Sequence, residues 1–170
     1  MNFDADTEYD LNHIIAKPLF FGMTVNIVVP MALLFVCYYL TTHGTVPDKL
    51  GETRTVALYL FGLLAVGEAV FAIWWRGRLF GTPMIRSRES FESDFASEYA
   101  RRCRPLFVVI ASISLYGYLF FFLSGEFNDA VYFVVFSFLV FQMVRPRHGM
   151  VRKLIDRQLG LVKQGRFLTS

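Results

Sequence analysis

The sequence predicts an all-α integral membrane protein, with four transmembrane helices arranged as two hairpins and amphipathic helices on the cytoplasmic side. Hydrophobic residues make up 55% of the 170 residues and charged residues only 18%, whereas about a quarter of a soluble domain is charged. Four stretches are long and apolar enough to cross a bilayer. These stretches are continuously apolar and lack the alternation of a membrane β-strand, which favours helices.

The four predicted spans cover about 19–40, 55–75, 106–123 and 127–144. They divide the chain into an acidic N-terminal segment at 1–18, a transmembrane domain at 19–144 with a loop at 76–105, and a basic tail at 146–170. In the first span, Asn26 and Pro30 stand one turn apart. Because proline cannot donate a backbone hydrogen bond to residue 26, a kink is expected there. Asn128 and Asp129 are expected in the outer interface.

The distribution of lysine and arginine predicts the orientation of the spans. With four crossings, the N-terminus, the 76–105 loop and the tail share one side, and that side carries fifteen of the seventeen Lys and Arg residues. Because positive charge stays on the cytoplasmic side, both termini are expected in the cytoplasm. The acidic start lacks the basic region of a signal peptide. The expected location is therefore the cell inner membrane, with an organellar membrane as the alternative.

The cytoplasmic loop carries the pattern of a short helix. Ser87 is a candidate N-cap for a helix that continues to about Arg102. Phe91, Phe95 and Tyr99 recur every four residues and form an apolar stripe along this helix. The sequence therefore predicts a separate amphipathic helix between the second and third spans.

The tail predicts a second amphipathic helix, about twelve residues long. Its apolar half holds Val151, Leu154, Ile155, Leu159, Leu161 and Val162, and its polar half holds Arg152, Lys153, Asp156, Arg157, Lys163 and Gln164. One interpretation is a helix that lies on anionic lipid at the cytoplasmic face. The other is a helix that docks on a neighbouring subunit. Arg152, Lys153, Arg157 and Lys163 are the residues expected to make either contact.

Glu68 is the main candidate for a functional residue, because a carboxylate within a span is costly to insert. It flanks a stripe of small residues, Gly62, Ala65, Ala69 and Ala72, of the kind that lets helices approach closely. The other polar residues expected in the same candidate site are Asn26, Ser112, Ser114 and Gln142. Glu68 is therefore expected to exchange protons or ions, to pair with a cation of another subunit, or to fix helix register through hydrogen bonds.

The sequence favours a protein without a catalytic site, a cofactor or a metal. It contains no Cys-x-x-Cys, no histidine within a span and no hydrolase or nucleotide-binding motif, and no nucleic acid is expected as a partner. The main hypothesis is a non-catalytic accessory, assembly or scaffold subunit of a larger membrane complex. The alternative is a small homo-oligomeric transporter or channel that uses Glu68. An enzyme acting on lipid or quinone, with Glu68 and Arg76 or Arg78, comes third.

Overall fold

The computed structural model describes residues 10–44 and 46–168, so most of the predicted acidic segment lies outside the described residues. These described residues are 82% helical, and no strand occurs among them. Its elements are α1 (Leu11–Met23), a π-helical turn (Thr24–Val28), α2 (Val29–His43), a 3-10 turn (Gly51–Thr53), α3 (Arg54–Leu79), α4 (Phe91–Ser124), α5 (Phe127–Val144) and α6 (His148–Lys163).

Four of these helical stretches are long and apolar enough to span a membrane, which confirms that part of the prediction. They are Leu11–His43, Gly51–Leu79, Phe91–Ser124 and Phe127–Val144. The fourth has the predicted bounds, whereas the first three continue beyond theirs. The largest extension is in α4, which begins fifteen residues before the predicted start at 106, with no break at Pro105.

The expected irregularity near Asn26 and Pro30 is a π-helical turn inside one continuous helix. Here the backbone N–H of Val29 donates to the carbonyl of Thr24, five residues earlier. Pro30 has no N–H to offer to the carbonyl of Asn26, so the regular helical ladder is interrupted at this point. A π-helical turn absorbs such an interruption without ending the helix.

Helices α4 and α5 form the centre of the bundle, and α1, α2 and α3 lie against them. Gly117 of α4 allows the close approach to α5, because a Cβ atom there would lie 2.6 Å from the Cβ of Phe133 and 2.9 Å from the carbonyl oxygen of Ala130. Although α3 follows α2 in the chain, it packs mainly on α4. The two helices of the first predicted hairpin therefore pack on the central pair and not mainly on each other.

One end of the bundle carries a compact cap, formed by the start of α1, the segment 80–90, the first turns of α4 and α6. Its core includes Ile14, Met84, Ile85, Phe95, Tyr99, Val151 and Ile155. The predicted loop helix corresponds to the first turns of α4, and it starts at Phe91 instead of directly after Ser87. Its aromatic stripe is buried in the cap, and these residues continue without a break into the third long apolar helix.

Helix α6 packs its apolar face on its own chain. Val151, Ile155, Gln158 and Val162 are buried, and α6 contacts the start of α1. His148 Nε2 lies 2.9 Å from the side-chain oxygen of Asn12. The apolar face that the sequence assigned to lipid or to a partner subunit is thus largely covered, with Val151, Ile155 and Val162 buried and Leu154, Leu159 and Leu161 half-buried, because the fold brings apolar residues of distant segments against it. The basic face of α6 is exposed.

Arg102 fastens the end of α3 to α4. Its Nε donates to Glu98 Oε1 at 2.7 Å, and both side chains are about nine-tenths buried. The same guanidinium donates to the carbonyl oxygens of Leu79 and Pro83 and to the hydroxyl of Thr82. Carbonyls at the end of a helix lack helical partners, so Arg102 caps α3 while it is anchored to α4 through Glu98.

A second arginine fastens the other end of α3. Arg54 donates to Asp129 Oδ2 from Nε at 3.1 Å and from an Nη at 2.9 Å, and it lies 3.4 Å from Glu126. The Asp129 side chain is only 4% exposed. Asp129, which the sequence placed in the outer interface, is therefore buried and paired with an arginine at the start of α3. This ion pair fixes α3 to the start of α5.

Replacing Gly117 with Ala tests the α4–α5 contact. The new methyl group would collide with Phe133 and with the α5 backbone, so we expect a loss of about 1–3 kcal/mol in the free energy of unfolding. Gly62→Ala is the matched control, because a Cβ atom at Gly62 meets nothing within 4 Å. Thermal denaturation of the purified variants measures both, and equal stability of the two variants would contradict the contact.

Arg102→Ala should destabilise the protein by about 3 kcal/mol, the lower end of the range for breaking a buried ion pair, because it removes the buried partner of Glu98 and the donor to the carbonyls after α3 while Arg101 still donates to Glu98. Arg101→Ala is the control, since Arg101 also contacts Glu98 but its side chain is 72% exposed. That change should cost about 1 kcal/mol or less. Chemical denaturation measures the difference, and limited proteolysis should show faster cleavage in the segment 80–90 of Arg102→Ala alone. Similar losses for both variants would contradict a special role for Arg102.

Candidate functional site

Glu68 lies on the side of α3 that faces α4. The hydroxyl of Ser112 is the hydrogen-bond partner of Glu68 Oε1, while Oε2 is buried without a hydrogen-bond partner in the described part of the chain. Tyr116, one turn further along α4, is close enough to interact electrostatically with the carboxyl group. The structure therefore groups Glu68 with one predicted partner, Ser112, and with Tyr116, which was not predicted.

Ser112 has two possible hydrogen-bond acceptors and one hydroxyl proton. Its Oγ lies 2.6 Å from the carbonyl oxygen of Val109, and the second acceptor is Glu68. If Glu68 carries a proton, the carboxyl group can donate to Ser112 while Ser112 donates to Val109. Both hydrogen bonds are then formed at once. The geometry thus accommodates a neutral carboxyl group and links α3 to α4.

The small-residue stripe beside Glu68 is the contact surface between α3 and α4. Ala65, Ala69 and Ala72 are 1%, 5% and 0% exposed. Gly62 is different, because it is half-buried and has open space where a side chain would be. The three alanines bring the α3 backbone close to α4, and this position explains why Glu68 can reach Ser112.

Asn26 forms a separate contact with another side of α4. Its amide nitrogen donates to the carbonyl of Gly22 at 3.1 Å and to the carbonyl of Phe107 at 3.2 Å. The side-chain oxygen is buried and has no partner within the described residues. Phe107 and Ser112 are five residues apart, which places them about 140° apart around the helix. Asn26 and Glu68 therefore approach α4 from different directions.

The other two predicted members lie away from Glu68. Ser114 is buried and donates to the carbonyl of Ala111 in its own helix at 2.6 Å. Gln142 is half-buried near the end of α5, where its backbone carbonyl accepts a hydrogen bond from Arg147. The structure thus brings together Glu68 and Ser112 alone from the five predicted residues.

Three polar residues that hold the fold together, Glu98, Arg102 and Gln158, were not predicted from the sequence. Glu98 and Arg102 are four positions apart on one helix face, which is a recognisable ion-pair spacing. Gln158 lies between Ile155 and Val162 at helical spacing, so a polar residue interrupts the apolar stripe. Its Oε1 accepts from the N–H of Met84 at 3.0 Å, and its Nε2 donates to the carbonyl of Thr82 at 3.1 Å. These bonds attach α6 to the segment 80–90.

The basic residues predicted for membrane or partner contact are all exposed on α6. They are Arg152, Lys153, Arg157 and Lys163. Within residues 10–44 and 46–168, none of them forms a salt bridge. These four side chains therefore present positive charge at the surface of the cap.

Comparison with known proteins gives no relative for this chain, because no protein-family model, curated protein or solved structure matches it. No group of three His, Cys, Asp or Glu residues is placed to hold a metal ion in the described ranges. The four long apolar helices are compatible with a multi-pass membrane protein. Any proposal about function beyond multi-pass membrane protein must therefore be argued from the contacts within the chain.

The Glu68–Ser112 contact can be measured with a double-mutant cycle. Glu68→Leu and Ser112→Ala should show a coupling energy of about 0.5–1.5 kcal/mol, because they remove the same interhelical hydrogen bond. Glu68→Leu combined with Ser114→Ala should be additive, since Ser114 bonds within its own helix. Thermal stability of the purified proteins is the measurement. A coupling energy near zero for the first pair would refute the contact.

Proposed function

We propose that this chain is a multi-pass protein of a cell inner membrane and acts as a non-catalytic accessory, assembly or scaffold subunit of a larger membrane complex. Both termini lie in the cytoplasm in this proposal. The support for the orientation is the charge distribution, since fifteen of the seventeen Lys and Arg residues belong to the end of the bundle that carries the cap. The basic face of α6 would then meet anionic lipids.

The main support for the proposal is the way in which the buried polar side chains are hydrogen-bonded. Seven such residues are described as buried: Asn26, Glu98, Ser114, Ser124, Asp129, Ser137 and Gln158. Each one makes a hydrogen bond within the chain, either to a backbone group or to an arginine. The bonds of Asn26, Asp129, Ser137 and Gln158 reach another helix or the segment 80–90. Polar groups used in this way hold the fold together, which suits a structural subunit better than an enzyme.

The outer helices provide surface for other subunits. The most apolar windows of the first two spans are only 17% buried inside the chain, compared with 44% for each of the last two. Large side chains such as Phe20, Phe35, Tyr59 and Leu63 are 69–77% exposed. These faces lie on either side of the α4–α5 pair, so the chain could contact two neighbours in the membrane while the cap stays fixed to the bundle.

A homo-oligomeric transporter or channel is the second candidate. Glu68 Oε2 is buried without a described partner, and Tyr116 lies beside it. A carboxyl group beside a tyrosine hydroxyl inside an apolar bundle is suited to accept and release a proton. Four helices of one chain leave little room for an aqueous path, so this function requires several copies.

Native mass spectrometry of the tagged chain, gently extracted from its own membrane, distinguishes the two proposals. Other polypeptides in a fixed ratio are expected for an accessory or scaffold subunit. A complex of identical chains would overturn that proposal and support the transporter. A lone monomer would contradict both. Recovery of the chain in the soluble fraction would refute the membrane placement itself.

A further inference from the structure

An open cleft of about 350 Å³ lies between the cap end of α3 and α6. Arg76 contributes positive charge from α3, and Lys153 and Arg157 contribute it from α6. No carboxylate is found among the described residues that line the cleft. Three cations from two separate helices thus face one space, and none of them forms a salt bridge within the described chain.

Arg76 is held in place without being neutralised. One of its Nη atoms donates to the carbonyl of Met143 at 3.2 Å, and the other contacts the sulfur of Met150. These neutral groups orient the guanidinium and leave its charge uncompensated. The side chain of Arg157 lies beside Gly81, just after the end of α3. The positive charges are therefore supported by the fold and are not spread over a flexible surface.

The rest of the cleft is apolar. Ile73, which belongs to the apolar part of α3, lines it together with Phe80 and Leu154. Ile73 precedes Arg76 by about 4.5 Å along the helix axis. Ile73 therefore offers an apolar contact on the side of the cleft nearer the middle of the bundle, whereas Phe80 and Leu154 lie among the cations at the cap. A membrane phospholipid has the same order of groups, with acyl chains next to a charged phosphate.

We propose that this cleft is a binding site for an anionic phospholipid, with its phosphate between Arg76, Lys153 and Arg157 and the start of its acyl chains against Ile73. Basic pockets at the cytoplasmic end of membrane helices suit such headgroups. Inorganic phosphate offers the same charge but leaves the apolar part of the cleft empty. The lipid site rests on the proposed membrane placement and not on the accessory or transport role.

Lipid binding to the full-length protein in detergent micelles tests this site. Native mass spectrometry is used to titrate phosphatidylglycerol and, separately, phosphatidylcholine with identical acyl chains. We expect a discrete phosphatidylglycerol adduct that phosphatidylcholine does not form at the same concentration. Lys153→Gln combined with Arg157→Gln should weaken this adduct about 25-fold, at about fivefold per charge. Arg76 is left intact, because its contacts with Met143 and Met150 also hold the fold.

The matched control is Arg152→Gln combined with Lys163→Gln, which removes the same charge from exposed positions of α6 that do not line the cleft. This variant should change binding less than about threefold. Equal weakening in both double variants would overturn the site, because charge on the surface as a whole would then attract the lipid. Equal binding of the two lipids would also overturn it. Displacement of the adduct by millimolar inorganic phosphate would assign the cleft to free phosphate instead. Membrane fractionation of the same chain tests the membrane placement separately. We expect the chain to stay with the membranes in each of these cases, so failure of the lipid site would not affect the proposed placement.

Discussion

The guanidinium of Arg102 is the interaction on which the arrangement of the cap depends. It ends α3, holds the turn at 79–83 and is itself held by Glu98 of α4. A buried ion pair contributes to stability only when its remaining hydrogen bonds are also made, and here backbone carbonyls accept them. The segment held in this way places the N–H of Met84 and the carbonyl of Thr82 within hydrogen-bond distance of the Gln158 side chain. The docking of α6 therefore follows from the same contact.

The two ends of α3 are fixed by charge, and its middle by close packing. Arg54 reaches Asp129 at one end and Arg102 caps the other, so both connections use a nearly buried carboxylate. Between them, the alanine stripe packs on α4, and Glu68 adds a directed bond to Ser112. Inside a bilayer, helices gain little from hydrophobic burial against each other, because lipid is equally apolar. Small residues and polar contacts are then what fix position and register.

The burial of one face of α6 determines what the other face can do. An amphipathic helix whose apolar face is free can insert it into lipid, but here that face forms part of the cap core. The exposed part is basic, and two of its cations, Lys153 and Arg157, line a cleft with Arg76 of α3. A helix held in a fixed place can offer a shaped site for one lipid headgroup, whereas a helix lying freely on the bilayer offers only charge.

The sequence by itself determined the four apolar helices, the difference in charge between the two ends of the bundle, and the stripe of small residues on α3 beside Glu68. Composition and helical periodicity are local properties, so they can be read without the fold. The tertiary structure decided that the helix from Phe91 continues into the third apolar stretch, that α6 packs on its own chain, and that Asn26 and Glu68 contact different sides of α4. It also formed the cleft between Arg76 and Arg157. These features join distant residues, such as Asn12 and His148, which are 136 positions apart. A periodic pattern shows that a face is apolar but not which distant segment covers it.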